Sequence, residues 1–146
     1  MSQVFSPAEL KARALRRIAI VLQEHAEEGR APHSRIFETL MPDPWIYVGV
    51  SRNGPGWREH IVPCAYLARE CMREFREGRT LDEVCVLLDR YLGLAHISRE
   101  ERVHLDFKLK YRDRMPPSWV FGIGHPLGRL TEAGITIEAP SSGQIG

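Results

Sequence analysis

Three short segments constrain this chain more than any other feature, because each ties the start of a helix to one residue. Ser6-Pro7-Ala8-Glu9, Thr80-Leu81-Asp82-Glu83 and Ser98-Arg99-Glu100-Glu101 all place a hydroxyl residue three positions before a glutamate. In that arrangement the hydroxyl accepts from the N–H at the third helical position, and the glutamate accepts from the N–H of the cap residue. Pro7 strengthens the first case, since proline at the first helical position has no N–H to leave unsatisfied.

Apolar spacing extends two of these starts into amphipathic helices. Leu10, Ala14, Ile18, Val21 and Leu22 follow the first at helical spacing, with Gly29 placed to end the helix and His25 beside the stripe as a packed or boundary residue. Leu81, Val84, Leu87, Leu88, Tyr91 and Leu92 follow the second, closed by Gly93. Between them, Cys64, Leu67, Cys71, Met72 and Phe75 share one helical face that ends at Gly78. The third start is contested. Val103, Leu105, Phe107, Leu109 and Tyr111 alternate with polar residues at the period of a strand. A capping box is specific about its position, so the expectation over 102–111 is a helix, with Glu100, His104 and Lys108 on its polar side.

The remaining segments read as short elements. A helical turn is expected between Arg30 and Pro44, and Trp45 to Val50 has the aromatic and β-branched content of a strand. Asn53-Gly54-Pro55-Gly56 is a dense turn signal, and Trp57 to Val62 is the expected returning strand of a β-hairpin, stopped by Pro63. Pro126 to Ala133 reads as a short helix ended by Gly134, and Ile135-Thr136-Ile137 as an edge strand. The expected architecture is α+β and predominantly helical, with four to five helices packed around that hairpin. At 146 residues there is room for one core, expected over 1–139, with Pro140 to Gly146 as a disordered small-polar tail.

Composition excludes several classes. Apolar residues at 43% and charged residues at 27% describe neither a disordered nor a membrane chain, and no apolar run approaches the roughly 20 residues needed to span a bilayer. An odd number of cysteines without a secretory apolar region points to a reducing, cytoplasmic setting. Cys64 and Cys71, seven apart, have the spacing of a buried helical face. A formal charge of +1 gives no overall field for polyanions, so contact with nucleic acid must come from a local patch. Lys108, Lys110, Arg112 and Arg114, opposed only by Asp113, form one.

The site-like chemistry lies in Arg58-Glu59-His60-Ile61-Val62-Pro63. A carboxylate beside a histidine puts a metal ligand next to a potential general base, the pair that phosphodiester hydrolysis requires. Glu59-His60-Ile61-Val62-Pro63, after a strand and turn and before a helix, resembles the first half of the HNH (ββα-metal) nuclease motif. The resemblance implies that Glu59 binds a divalent metal such as Mg, Mn, Ni or Zn, that His60 activates water and that His104 completes the metal shell. Arg58, Lys108, Lys110, Arg112 and Arg114 then contact phosphates, which positions nucleic acid without reading sequence. The chain departs from the family pattern in three ways, one of them the lack of the zinc-binding cysteine pairs seen in many members. More than forty residues separate His60 from His104, and the single asparagine, Asn53, lies upstream of the pair. His33, His96 and His125, read as lying in or near loops, receive no role. No glycine-rich phosphate loop and no nucleophile elbow is present. The rival expectation is a non-catalytic binding or regulatory protein, of phage or mobile-element origin, that presents Trp57 and Trp119 to a protein partner.

Overall fold

The computed structural model describes residues 4–31 and 34–140. Pro32, His33 and the tail from residue 141 lie outside the described residues. All three capping boxes are made, with the hydroxyls of Ser6, Thr80 and Ser98 accepting from the N–H groups of Glu9, Glu83 and Glu101. They open α1 (Pro7–Glu27), α4 (Leu81–Tyr91) and α5 (Arg99–Val103). The other helices are α2 (Arg35–Leu40), α3 (Cys64–Arg76) and α6 (Gly128–Glu132), which makes six among the described residues against the expected four to five.

The helical layer is α1 packed on α3 and α4. Ala14, Leu15, Ile18, Ala19, Leu22 and Ala26 of α1 meet Leu67, Ala68, Cys71 and Met72 of α3 and Val84, Leu88 and Tyr91 of α4 in one buried core. None of these helices is long and apolar enough to cross a membrane.

The sheet corrects the expected hairpin. Strands β1 (Tyr47–Ser51), β2 (Trp57–His60), β3 (Leu94–Ile97) and β4 (Ile137–Glu138) lie in the order β2-β3-β1-β4. Consecutive in sequence, β1 and β2 do not pair, because β3 runs between them, parallel to β1 and antiparallel to β2. The reason is burial: Leu94, Ala95 and Ile97 are fully covered, whereas β2 carries exposed Trp57 and Arg58 and suits an edge. The turn at 52–56 therefore spans two strand spacings, about 10 Å. A parallel β1/β3 pair needs a long crossover, and α3 with α4 supplies it. Gly49, at φ +147°, is required where β4 crosses, since a Cβ there would run into the backbone carbonyl of Glu138.

Several element bounds also differ from expectation, among them α6 (Gly128–Glu132 against 126–133) and β4 (Ile137–Glu138 against 135–137). Trp45 lies in a 3-10 turn (Asp43–Trp45) and not in β1, and Ile61 and Val62 leave the sheet to enter the core. His96 is a strand residue of β3, with its ring edge-on to Tyr47. Over 102–111 the helix prevails but widens after Val103 into a π-helical turn, His104–Lys108. That turn buries Leu105 and leaves Phe107 exposed, which is how an alternating apolar pattern fits a helical backbone.

Candidate functional site

The Glu59-His60 stretch ends the edge strand β2, and its backbone is held by a residue from the far end of the chain. Arg129, on α6, is completely buried, and its guanidinium donates to four oxygens. The Nη2 group reaches the carbonyl of His60 and, at 3.1 Å, Oε2 of Glu59. The Nη1 group donates to the Tyr111 carbonyl at 2.7 Å, and Nε to the Ile61 carbonyl at 3.4 Å. A buried guanidinium is tolerated only when its fork of donors is satisfied, and here a carboxylate supplies the compensating charge. Arg129 thereby joins the end of β2 to the segment after the π turn.

Glu59 is thus the counter-ion of Arg129. Burial raises its carboxyl pKa above the ordinary carboxylate value, against the opposing pull of Arg129. Asp106, on the π turn, adds a second carboxylate to the same neighbourhood and lies 3.1 Å from Nε of Arg102, its side chain 6% exposed and its Oδ1 without a hydrogen-bond partner. Neither Arg129 nor Asp106 was singled out in the sequence. An arginine in a short glycine-containing helix carries no local sign of burial.

His60 is half-buried in the wall of a cleft of about 480 Å³, lined also by Glu38, Glu59, Cys64, Arg112 and Asp113 among others. Burial first, and the nearby Arg58 cation second, lower its pKa, so the ring is neutral at neutral pH. The Cys64 thiol, behind it on α3, is pushed up to about 12 by burial and is not a nucleophile. Arg58 spends its charge on acids: both Asp43 oxygens are bound, at 2.6 and 2.8 Å, and Glu38 at 3.1 Å.

His104 is half-buried on the π turn and is not among the residues lining the cleft. Among the described residues no three His, Cys, Asp or Glu side chains converge as a metal site. With one Glu59 oxygen already bound by Arg129, the residues as placed do not fit a metal shell. Asn53 is likewise engaged elsewhere, donating to Glu101 at 3.4 Å, while Ser51 donates to the same carboxylate at 2.6 Å. Lys108, Lys110, Arg112 and Arg114 are all exposed, and none forms an ion pair among the described residues. Trp57 is 39% exposed, but Trp119 packs edge-on against Tyr91 and Tyr66, with its indole N–H donating to the His125 carbonyl.

Comparison with protein-family profiles, with curated proteins and with solved structures found no match to this chain.

Proposed function

We propose that this protein binds the sugar–phosphate backbone of nucleic acid through Lys108, Lys110, Arg112 and Arg114, beside the His60 cleft. One observation carries the reading: Arg112 belongs both to the exposed cationic run and to the wall of the cleft that holds Glu59 and His60. Unpaired cations on the surface are free to displace counterions from phosphates, and a basic run that is local makes up for a molecule near neutrality. Arg58 contributes little on this reading, because Asp43 and Glu38 already balance its charge.

Hydrolysis of the bound backbone is a second reading, favoured by the neutral ring of His60 in the cleft wall, a state suited to a general base. On this reading Glu59 remains the counter-ion of Arg129 and is not a metal ligand. The protein-partner reading draws on exposed Val86, Val120 and Ile123.

Fluorescence anisotropy with labelled duplex DNA, single-stranded DNA and RNA tests the proposal. The Lys108→Gln/Lys110→Gln/Arg112→Gln/Arg114→Gln variant should bind all three at least about tenfold more weakly at low salt, with a shallower salt dependence. His60→Ala should leave binding intact. Wild-type protein that binds none of the three at low salt sinks the proposal and leaves the protein-partner reading. Plasmid cutting in Mg²⁺ or Mn²⁺ that disappears in His60→Ala establishes the hydrolytic one.

A further inference from the structure

Besides the cationic run, an aromatic surface stands next to it in the fold. Arg102 of α5 places its guanidinium carbon 4.1 Å from the ring centroid of Trp57 on β2 and 5.8 Å from that of Phe107 on the π turn. Trp57 is 39% exposed and Phe107 59% exposed, so the two rings flank one guanidinium and still meet solvent. Val103, one turn before Phe107, is 46% exposed and widens the apolar area. Phe107 lies exposed within the π turn, directly before Lys108. Widened turns of this kind are frequently found at functional sites.

Large apolar rings kept in water beside unpaired cations fit a ligand with flat aromatic faces and negative charge. Asp106 neutralises much of Arg102, which leaves that guanidinium as a stacking plane that fixes both rings, while Lys108 and Lys110 supply net positive charge. A protein partner would offer apolar side chains but has no need of the flanking lysines. Duplex DNA offers phosphates but keeps its base faces inside the stack. Unpaired bases on a phosphodiester backbone satisfy both features.

We propose that Trp57, Arg102 and Phe107 form a stacking platform for unpaired nucleobases, giving the protein a preference for single-stranded over duplex nucleic acid. The proposal rests on the backbone-binding reading above and adds to it the strand state of the ligand. Stacking one base on an aromatic side chain strengthens binding by roughly tenfold.

The test compares oligo(dT) with a DNA hairpin of equal phosphate number at one salt concentration, following both anisotropy and tryptophan fluorescence. Wild type should bind oligo(dT) roughly tenfold more tightly, with quenching that is absent in Trp57→Leu. Phe107→Leu and Trp57→Leu should each lower oligo(dT) affinity severalfold and leave hairpin binding unchanged. Because both side chains are exposed, the two single variants are independent checks against loss of fold. Equal affinity for the two DNAs, or single variants that bind oligo(dT) as wild type does, overturns the platform and leaves backbone binding standing. No binding to either DNA overturns both.

Discussion

Arg129 and Glu59 are 70 positions apart in sequence and form the charge pair on which the candidate site is built. Removing one partner of such a pair leaves a buried, uncompensated charge, so Arg129→Met should cost about 3–5 kcal/mol in denaturant unfolding. Glu59→Leu/Arg129→Met should recover part of that loss, because the orphaned charge goes too. A double variant as unstable as Arg129→Met alone would mean that the backbone hydrogen bonds of Arg129, and not the ion pair, carry its effect. His60 gives a prediction in pH. Its folded pKa lies below the ordinary 6.5, so the unfolded chain binds the proton more readily. The stability it contributes is complete above 6.5 and is lost as pH falls through the folded value. Glu59, with a raised pKa, changes stability in the opposite direction. The informative quantity is therefore the melting-temperature difference between wild type and His60→Gln, which should shrink in favour of the variant as pH drops from 7.5 to 5. A difference independent of pH would remove the claim that burial holds His60 neutral.

At the scale of elements, the capping boxes were fully legible, since a cap is satisfied within four residues whatever the rest of the chain does. They are not equal in consequence. Ser6 and Glu9 lie at the surface, whereas Ser98 is 6% exposed and its partner Glu101 also accepts from Ser51 and Asn53. Ser98→Ala should cost about 2 kcal/mol in thermal or urea unfolding, and Ser6→Ala about 0.5 kcal/mol. Equal losses would show that the link from Glu101 to the β1 turn carries no stability. The strand β3 (Leu94–Ile97) was not legible at all, four residues between a helix end and a capping box, and the other strands were legible only as segments. Trp57 to His60 was expected as the return arm of a hairpin and is an edge strand instead, because its neighbour, β3, comes more than thirty residues later and outcompetes β1 by its burial. The widening of α5 into a π turn was hidden as well. Alternation from Val103 to Tyr111 suggested a strand, and the cap settled the backbone without settling its pitch.

For the molecule as a whole, a formal charge of +1 means that any binding of polyanions is a property of one patch. If Lys108, Lys110, Arg112 and Arg114 each displace one counterion, the logarithm of duplex affinity should fall against the logarithm of salt concentration with a slope of about −3.6. Measuring that slope in the full chain counts the phosphates engaged. A slope near zero would contradict backbone binding by these residues. The expected α+β, mainly helical architecture is the one observed, with helices α1, α3 and α4 on one sheet. In the candidate site, the adjacency of Glu59 and His60 was plain from the sequence and their surroundings were not. The fold does bring the segment near Tyr111 back against that stretch, through Arg129, but it directs Glu59 to the guanidinium and leaves His104 off the cleft.

By itself the sequence determined what depends on near neighbours: three helix starts, the apolar stripes behind them, the glycine ends and a run of surface cations. Those features rest on hydrogen bonds and spacings within a turn or two, which no distant residue needs to approve. Tertiary structure alone decided the order of strands, the depth of Arg129 and the company of Glu59 and His60. Burial and charge compensation depend on which surfaces finally meet, and residues 59 and 129 acquire their roles only when the chain has closed around them.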